Sequence, residues 1–262
     1  MNSVNKTLYI PLYGKAFVSK KGIILEDKKA EIIWEAEGFA LKGKSKSKWL
    51  AYYMGMRSAV FDQWLSERMQ EVKDGIVLHL GCGMDSRIER VGTKGHLWYD
   101  VDFSEVIEER KRYYEETQNY QMIAADVRDS GWIETLPKEK TAIVVMEGIS
   151  MYLKPEEVKK LLVNLKDHFC RVQILMDCYT EVAAKMSKYK NPINDVGVTN
   201  VYGVDDPEKV TEGTGVIFVK EHEMTPDFLI EELVGAEKWI FKKVYAGGVS
   251  KKMYRLYEYK DA

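Results

Sequence analysis

Five short apolar segments along the middle of the chain constrain its fold more than any other feature. They begin at residues 76, 97, 121, 142 and 172, and each is followed by an amphipathic or charged stretch. Successive starts are 21 to 30 residues apart, which is the length that a parallel strand and its helical crossover require. Because the segments are continuously apolar rather than alternating, we expect helices on both faces of the strands. The pattern predicts an α/β protein with a doubly wound, mostly parallel sheet.

The chain on either side of these segments has a different pattern. Helical periodicity at 28–38 and from about 47 to 72 predicts that residues 1–73 form a helical cap contributing to the ligand site. Residues 74–262 then form the α/β domain. The remaining predicted features are an insertion around 186–214, a strand at 216–223, helices at 226–234 and 236–245, and a final strand at 252–259, antiparallel at the far side of the sheet.

The composition excludes several classes of protein. Lys and Arg number 39 against 41 Asp and Glu, so the net charge of −2 offers no cationic excess for nucleic acid. No apolar run approaches the roughly 20 residues of a membrane span. Cys82, Cys170 and Cys178 lack C-x-x-C spacing, so we expect neither a disulfide framework nor a metal site. These features predict a protein of the reducing cytoplasm.

Polar residues follow the predicted strands at the points where ligands bind in open α/β sheets. Gly81, Cys82 and Gly83 follow the first strand, and Asp100 and Asp102 end the second. The third and fourth ends carry Asp126 and the pair Glu147-Gly148. A carboxylate 21 residues beyond Gly81 can accept both hydroxyls of a ribose, and Asp126 can accept from an adenine amino group. NAD and S-adenosylmethionine both present these groups.

Two residues after the first strand, Asp85 and Ser86, favour S-adenosylmethionine over NAD. A dinucleotide fingerprint would have a third glycine where this chain has Ser86. Asp85 would repel a pyrophosphate docked on the following helix N-terminus, whereas an acidic rim suits an ammonium and a sulfonium. An alternative role for Asp85 is a helix N-cap, which is compatible with orienting a ligand.

Arg57 is a charged residue on the apolar stripe of the long predicted helix. Unpaired burial of its charge would be costly, so we expect it to have a partner. The carboxylate of a bound methionine moiety would be one such partner. There are two alternatives to a ligand contact. Arg57 could form a structural ion pair with Asp62 or Glu147, or its side chain could reach solvent.

At these residues the chain resembles the leucine carboxyl methyltransferase and polyketide (tetracenomycin-type) O-methyltransferase group of class I S-adenosylmethionine-dependent enzymes. The matching stretches are Arg-Ser-Ala-Val-Phe-Asp at 57–62, Leu-Gly-Cys-Gly-Met-Asp-Ser-Arg at 80–87, Trp-Tyr-Asp-Val-Asp-Phe-Ser-Glu-Val-Ile at 98–107, Ala-Asp-Val-Arg-Asp at 125–129 and Glu-Gly-Ile-Ser-Met-Tyr-Leu at 147–153. The string around 80–87 followed by Asp-Val-Asp is much more specific than a generic Gly-x-Gly.

The resemblance implies a seven-stranded sheet with S-adenosylmethionine across strands one to four. By position, Arg57 would hold the cofactor carboxylate, Asp102 the ribose, and Glu147 the amino-acid end. Asp100 stands where many relatives have Glu, so which of Asp100 and Asp102 meets the ribose stays open. The full set of cofactor-binding residues that we predict is Arg57, Gly81, Cys82, Gly83, Asp85, Asp100, Asp102, Phe103, Asp126, Val127, Glu147 and Gly148.

The predicted reaction is transfer of a methyl group to a hydroxyl or carboxyl of a small molecule. A carboxylate acceptor needs no base at neutral pH, whereas a phenol or alcohol does. By position the candidates for that base are Tyr152, Asp205 and His222. Alternatives are an NAD-type oxidoreductase, a methyltransferase acting on protein C-terminal carboxyls, and a catalytically silent relative. Tyrosines near the ends of strands four and five would suit a planar, apolar acceptor; they are Tyr152, Tyr179, Tyr189 and Tyr202.

Overall fold

The fold is built on one sheet of seven strands, in the order β3-β2-β1-β4-β5-β7-β6. The computed structural model describes residues 8–38, 41, 43–187 and 201–262, except the side chains of residues 43 and 44. The strands are β1 Gly75–Leu80, β2 Leu97–Asp102, β3 Tyr120–Ala124, β4 Thr141–Met146, β5 Arg171–Tyr179, β6 Val216–His222 and β7 Tyr254–Asp261. The first five pair in parallel, and β7 pairs antiparallel with both β5 and β6. The predicted doubly wound, mostly parallel sheet is therefore confirmed.

One strand lies elsewhere than predicted. The last strand has the antiparallel direction expected of it, but it inserts between β5 and β6 instead of forming the far side, and β6 is the edge strand. The difference matches burial, because β7 residues on both faces of the sheet, such as Leu256 and Tyr259, are fully buried, while Ile217 and Val219 of β6 are exposed. The strand that is buried on both faces thus takes the inner position.

Helices cover both faces of the sheet. They are α1 Tyr9–Lys20, α2 Lys28–Glu37, α3 Lys48–Glu71, α4 Arg87–Val91, α5 Ser104–Arg110, α6 Gly131–Glu134, α7 Pro155–His168, α8 Glu181–Met186, α9 Pro207–Thr211, α10 Asp227–Ile230, α11 Gly235–Val244 and α12 Gly248–Lys251. The two helices predicted before residue 74 correspond to α2 and α3. The helix predicted at 226–234 is shorter, since α10 ends at Ile230.

Helix α1 was not predicted from the sequence. Most of its residues are buried, including Lys15 and Ser19, so it shows no clear division into polar and apolar faces. It packs closely on α3, because a Cβ built on Gly14 would lie 2.7 Å from the Cβ of Met54. Both helices reach the carboxyl end of the sheet, where Lys15 of α1 and Met54 of α3 lie with the residues that follow β1. The division of the chain at residue 73 stays a prediction.

The predicted insertion at 186–214 is only partly described, and Tyr189 lies outside the described residues. Its later part returns to the sheet, where the backbone N–H groups of Tyr202 and Val204 donate to the carbonyls of Met151 (2.8 Å) and Tyr179 (2.7 Å). Helix α9 follows. Across the described ranges, no helix is both long enough and apolar enough to cross a bilayer.

Candidate active site

A cavity of about 410 Å³ opens at the carboxyl ends of β1 to β4. That volume lies in the usual range for small-molecule sites. Eleven of the twelve predicted cofactor-binding residues line it, namely Arg57, Gly81, Cys82, Gly83, Asp85, Asp102, Phe103, Asp126, Val127, Glu147 and Gly148. The twelfth, Asp100, does not. The parallel register explains the grouping, since Leu80, Val101 and Met146 are aligned neighbours and the residues after them share one edge.

Asp102 is the last residue of β2, and the backbone fixes its carboxylate. Oδ2 accepts from the Gly83 N–H at 2.8 Å, and Oδ1 accepts from the Phe103 N–H at 2.8 Å. Each oxygen keeps a further lone pair for a ligand hydroxyl. Burial raises the pKa of Asp102 to about 6. The geometry suits a carboxylate that accepts from a vicinal diol.

Asp100 is a correction to the predicted set. It is fully buried two residues deeper in β2, and protein donors already occupy its carboxylate. These donors are Arg110 Nε (2.9 Å), Trp98 Nε1 (2.9 Å), the Tyr120 hydroxyl (2.7 Å) and His79 Nδ1 (3.2 Å). Burial opposes its ionisation, but the Arg110 guanidinium outweighs burial and lowers its pKa. Asp100 therefore holds β2 to its neighbours, and of the two acids only Asp102 reaches the cavity.

The turn after β1 depends on glycine at its first position. Gly81 has a φ of +65°, and a Cβ built there would lie 1.9 Å from Cγ2 of Ile149. A side chain at this position would be strained and would clash with the segment after β4. The requirement for Gly81 is therefore one of packing between neighbouring strand ends, which allows the backbone of residues 81–83 to line the cavity.

Asp85 lies on the cavity wall but is surrounded by cations. Its carboxylate lies 3.4 Å from Lys15 Nζ, 3.2 Å from Arg87 Nη1 and 2.9 Å from Arg90 Nη1. Burial opposes ionisation, yet these cations hold its pKa well below the usual range. The N-cap role is wrong, because Ser86 precedes α4. The acidic rim expected at Asp85 is also wrong, because α1 supplies a neutralising lysine.

Arg57 is 3% exposed and makes a network of ionic contacts at the cavity floor. Its Nε donates to Glu147 at 3.0 Å, Nη2 lies 3.0 Å from the same carboxylate, and Nη1 donates to Asp177 (3.0 Å) and to the Tyr254 hydroxyl (3.2 Å). The predicted ion pair with Glu147 is confirmed. Asp62 was the wrong alternative, since it pairs with Arg87 and Arg90, and burial excludes a side chain that reaches solvent.

The four contacts occupy Nε, both Nη1 hydrogens and one Nη2 hydrogen, so one Nη2 hydrogen remains for a ligand. Gly148 lies beside it, since a Cβ built there would be 3.6 Å from Arg57 Nη2. With a φ of +76°, this glycine keeps space open next to the guanidinium. Arg57 can therefore serve both as a structural partner and as a ligand donor.

Three residues of the site were missed in the sequence: Lys15 and Tyr254, which line the cavity, and Asp177, which is buried behind it against Arg57. Asp177 follows directly on the predicted strand 172–176, so the rule that selected Asp102, an acid at a strand end, applied equally to it. Tyr254 starts β7, and only the insertion of that strand beside β5 brings it to the cavity. No local signal marks it.

The three predicted base candidates are not brought together. Tyr152 lines the cavity. Asp205 accepts from the Glu181 N–H at 3.0 Å, outside the cavity, and His222 Nε2 lies 2.6 Å from Glu258 on the outer strands, where it borders a separate small pocket. Neither Asp205 nor His222 lines the cavity, so of the three candidates only Tyr152 lies where a reaction here would take place. Among the residues that the structure describes, no cluster of His, Cys, Asp or Glu could hold a metal ion.

Comparison with known proteins identifies the family. The model of the leucine carboxyl methyltransferase family matches residues 3–166. The chain belongs to this family. A relative from Streptomyces glaucescens, the tetracenomycin polyketide synthesis O-methyltransferase TcmP, is 30% identical over 70% of this chain and 69% of its own length. A second, the S-adenosyl-L-methionine-dependent methyltransferase dpfgK of Gibberella zeae, is 27% identical over 64% of this chain and 61% of its own.

Solved structures of other methyltransferases share the fold of this family member. Magnesium protoporphyrin IX methyltransferase of Synechocystis, solved with bound S-adenosylhomocysteine, superposes with a TM-score of 0.54 at 12% identity, over 88% of this chain and 93% of that one. A methyltransferase of Thermobifida fusca gives 0.53 at 14% identity, over 84% and 89%. The chain is an S-adenosylmethionine-dependent methyltransferase, and the NAD-type alternative is set aside.

Proposed function

We propose that the chain transfers a methyl group from S-adenosylmethionine to a hydroxyl group of a small, apolar, aromatic molecule. The observation that carries this proposal is the pairing of charges around the cavity. Each cationic side chain in its described lining already faces a carboxylate: Lys15 faces Asp85, Arg128 faces Asp126, and Arg57 faces Glu147 and Asp177. A carboxylate acceptor would therefore find no uncompensated positive charge among these residues.

The rest of the lining supports an aromatic acceptor. Leu50 and Met54 of α3 and Met151 and Leu153 after β4 supply apolar surface. Tyrosines at the ends of β4, β5 and β7 add flat rings with hydroxyl groups; they are Tyr152, Tyr179 and Tyr254. Such surfaces favour flat ligands with polar substituents. The relative TcmP, whose name describes O-methylation in polyketide synthesis, supports methyl transfer to an oxygen of a small molecule.

The residues fit the cofactor at each of its parts. Asp102 would accept from the two ribose hydroxyls, and Asp126, whose carboxylate is held by Arg128, would lie at the adenine with Val127. The remaining Nη2 hydrogen of Arg57 would donate to the cofactor carboxylate. When bound, the cofactor supplies a methyl group on a sulfonium. The task of the protein is to position the acceptor and exclude water.

Labelled methyl transfer tests the proposal. The protein is incubated with methyl-labelled S-adenosylmethionine and, separately, with 2-naphthol, 2-naphthoic acid and a short peptide ending in a free leucine carboxyl. We expect label in the naphthyl ether only. A labelled methyl ester of the naphthoic acid or of the peptide would contradict the hydroxyl assignment.

Calorimetry with S-adenosylhomocysteine and NAD tests the cofactor residues independently of the acceptor. We expect micromolar binding of S-adenosylhomocysteine (about −8 kcal/mol). Asp102→Ala should abolish it and Arg57→Ala should weaken it. Binding of NAD in preference, or unchanged affinity in Asp102→Ala, would contradict the assigned roles.

A further inference from the structure

A hydroxyl acceptor must lose its proton, and a tyrosine in the cavity wall with a buried carboxylate behind it is arranged to take it. Tyr254 is 9% exposed and lines the cavity at the start of β7. Its hydroxyl accepts from Arg57 Nη1 at 3.2 Å and donates a hydrogen bond to the carboxylate of Asp177. A phenol oxygen has two lone pairs, so one remains to accept from an acceptor hydroxyl.

The Tyr254 ring is fixed by its neighbours. It makes an edge contact with Tyr179, with 4.7 Å between ring centres, and another with Tyr53 at 6.2 Å. The antiparallel register of β5 and β7 sets Tyr179 opposite Tyr254, and Asp177 lies two residues before Tyr179 on β5. The hydroxyl is thus held in one orientation between the Arg57 guanidinium and the Asp177 carboxylate.

We propose, on the basis of the function inferred above, that Tyr254 accepts the proton of the acceptor hydroxyl while passing its own proton to Asp177. The acceptor oxygen forms a bond to the methyl carbon as the carbon–sulfur bond breaks, leaving the methyl ether and S-adenosylhomocysteine. The acceptor proton moves to the Tyr254 oxygen, and the Tyr254 proton moves to an oxygen of Asp177. After the product leaves, Asp177 returns that proton to Tyr254, and Tyr254 passes a proton to water in the cavity, which restores the starting state.

The neighbouring charges give the two buried acids of the site, Glu147 and Asp177, different pKa values. Glu147 receives hydrogen bonds from Arg57, Arg87 and Ser58, and the two guanidinium groups outweigh burial and lower its pKa to about 2. For Asp177, burial outweighs the attraction of Arg57, which it shares with Glu147, and Glu147 adds repulsion. The pKa of Asp177 is therefore raised to about 6. The titratable groups that face Asp177 are Arg57, Glu147, Tyr53, Tyr254 and Cys178. A base works best when its pKa lies near the working pH, and of the two acids Asp177 meets that condition.

His79 carries the one imidazole in the described lining of the cavity, and the lone pair of that imidazole is occupied. Its Nε2 lies 3.0 Å from Arg87 Nη1, which can only donate, so Nε2 is the acceptor. Nδ1 then carries the hydrogen that is shared with Asp100 at 3.2 Å. Burial lowers the pKa of this imidazole. His79 therefore stays neutral and has no free lone pair for the acceptor.

The test compares two acceptors of the same shape but different acidity: 2-naphthol, and a nitro-substituted 2-naphthol that is already ionised at the assay pH. We expect Tyr254→Phe to lower kcat for 2-naphthol by about 10²-fold or more, the loss typical of a removed general base. The ionised acceptor needs no base, so its kcat should fall far less. Tyr53→Phe is the matched control, because it removes a neighbouring half-buried phenol whose hydroxyl bonds Ser250 and not Asp177.

Two further readouts separate a proton path from a structural role. The wild-type kcat for 2-naphthol should fall as the pH drops below about 6, because protonated Asp177 cannot accept, and Asp177→Asn should lose this limb. Calorimetry without acceptor should show that Tyr254→Phe changes the affinity for S-adenosylhomocysteine by no more than about tenfold, the effect of one neutral hydrogen bond.

An equal loss of kcat for both acceptors in Tyr254→Phe would overturn the proton path while leaving the O-methyltransferase function standing. Failure of the wild-type protein to methylate either naphthol, with S-adenosylhomocysteine still bound, would refute the proposed acceptor class and the proton path with it.

Discussion

Replacing Asp102 with Asn is expected to stabilise the free protein while removing its affinity for S-adenosylhomocysteine. Burial raises the pKa of Asp102 from its ordinary 3.8 to about 6, so the ionised carboxylate is disfavoured in the folded state. At about 1.4 kcal/mol per pKa unit, ionising Asp102 destabilises the folded protein at pH 7.5 by about 3 kcal/mol at most. Partial exposure of the side chain reduces this figure through solvent screening.

The asparagine also loses a hydrogen bond, since its amide can accept from only one of the two backbone N–H groups at Gly83 and Phe103. That loss offsets about 1 kcal/mol. We therefore expect a net stabilisation of about 1 kcal/mol at pH 7.5, or about 2–4 °C in Tm for a chain of this size. Ligand affinity should fall because an amide cannot accept from both ribose hydroxyls.

The raised pKa of Asp102 also fixes how its contribution to stability changes with pH. Because folding raises the pKa, the stability linked to Asp102 is fully present below about pH 3.8 and is lost as the pH rises through about 6. Thermal unfolding of Asp102→Asn and wild type should therefore give similar Tm values near pH 4.5 and diverge at pH 7.5. A variant destabilised equally at both pH values, or one that still binds S-adenosylhomocysteine normally, would refute the reasoning.

Further predictions concern the neighbouring residues. Asp100→Asn should lower the free energy of unfolding by about 3 kcal/mol or more, because it leaves the buried Arg110 charge without its partner, and denaturant unfolding measures this. Arg57→Met should destabilise by a similar amount, about 3–5 kcal/mol at neutral pH, because two buried carboxylates lose their shared cation, and the loss should be smaller at pH 5 where Asp177 can protonate. Gly148→Ala should weaken S-adenosylhomocysteine binding in calorimetry and cost about 1–2 kcal/mol of stability, because its φ is +76° and the new Cβ would enter the space beside Arg57. Unchanged unfolding curves for any of these variants would contradict the corresponding contact.

The sheet could be predicted because its signal is local. Strand β1 is buried along its whole length, and its continuous apolar run followed by Gly-Cys-Gly stands out in the sequence. The order of the last two strands could not be predicted, because pairing partners far apart in the chain decide it. Tyr254 illustrates the consequence: its place beside Arg57 depends on β7 entering between β5 and β6.

The choice between Asp100 and Asp102 shows a second limit. Residues two apart in a strand point to the same face, so periodicity gives both acids the same orientation. What separates them is depth. Asp100 pairs with His79 and Met122 inside the ladder, whereas Asp102 ends β2 where the backbone turns into α5. Depth depends on the exact strand end, which sequence patterns locate only to within a few residues.

The buried charges at the cavity floor also bear on the predicted division at residue 73. Four buried charged residues after β1 pair with side chains from the N-terminal helices or the loop before α2: Asp85 with Lys15, Arg90 with Asp27, Arg87 with Asp62, and Glu147 with Arg57. Breaking one buried pair costs about 3–5 kcal/mol, and a typical domain is stable by only about 5–15 kcal/mol.

A chain that begins at residue 74 would lose all four pairs together with the apolar contacts of α1 and α3. We therefore expect residues 74–262 alone to lack a cooperative thermal transition in circular dichroism and to bind no S-adenosylhomocysteine. Co-expression with residues 1–73 should restore both properties, because the missing partners return in trans. A cooperatively folded 74–262 fragment would show that the helical cap is an independent addition to the methyltransferase domain, and that the ion pairs at its base contribute little to holding the sheet together.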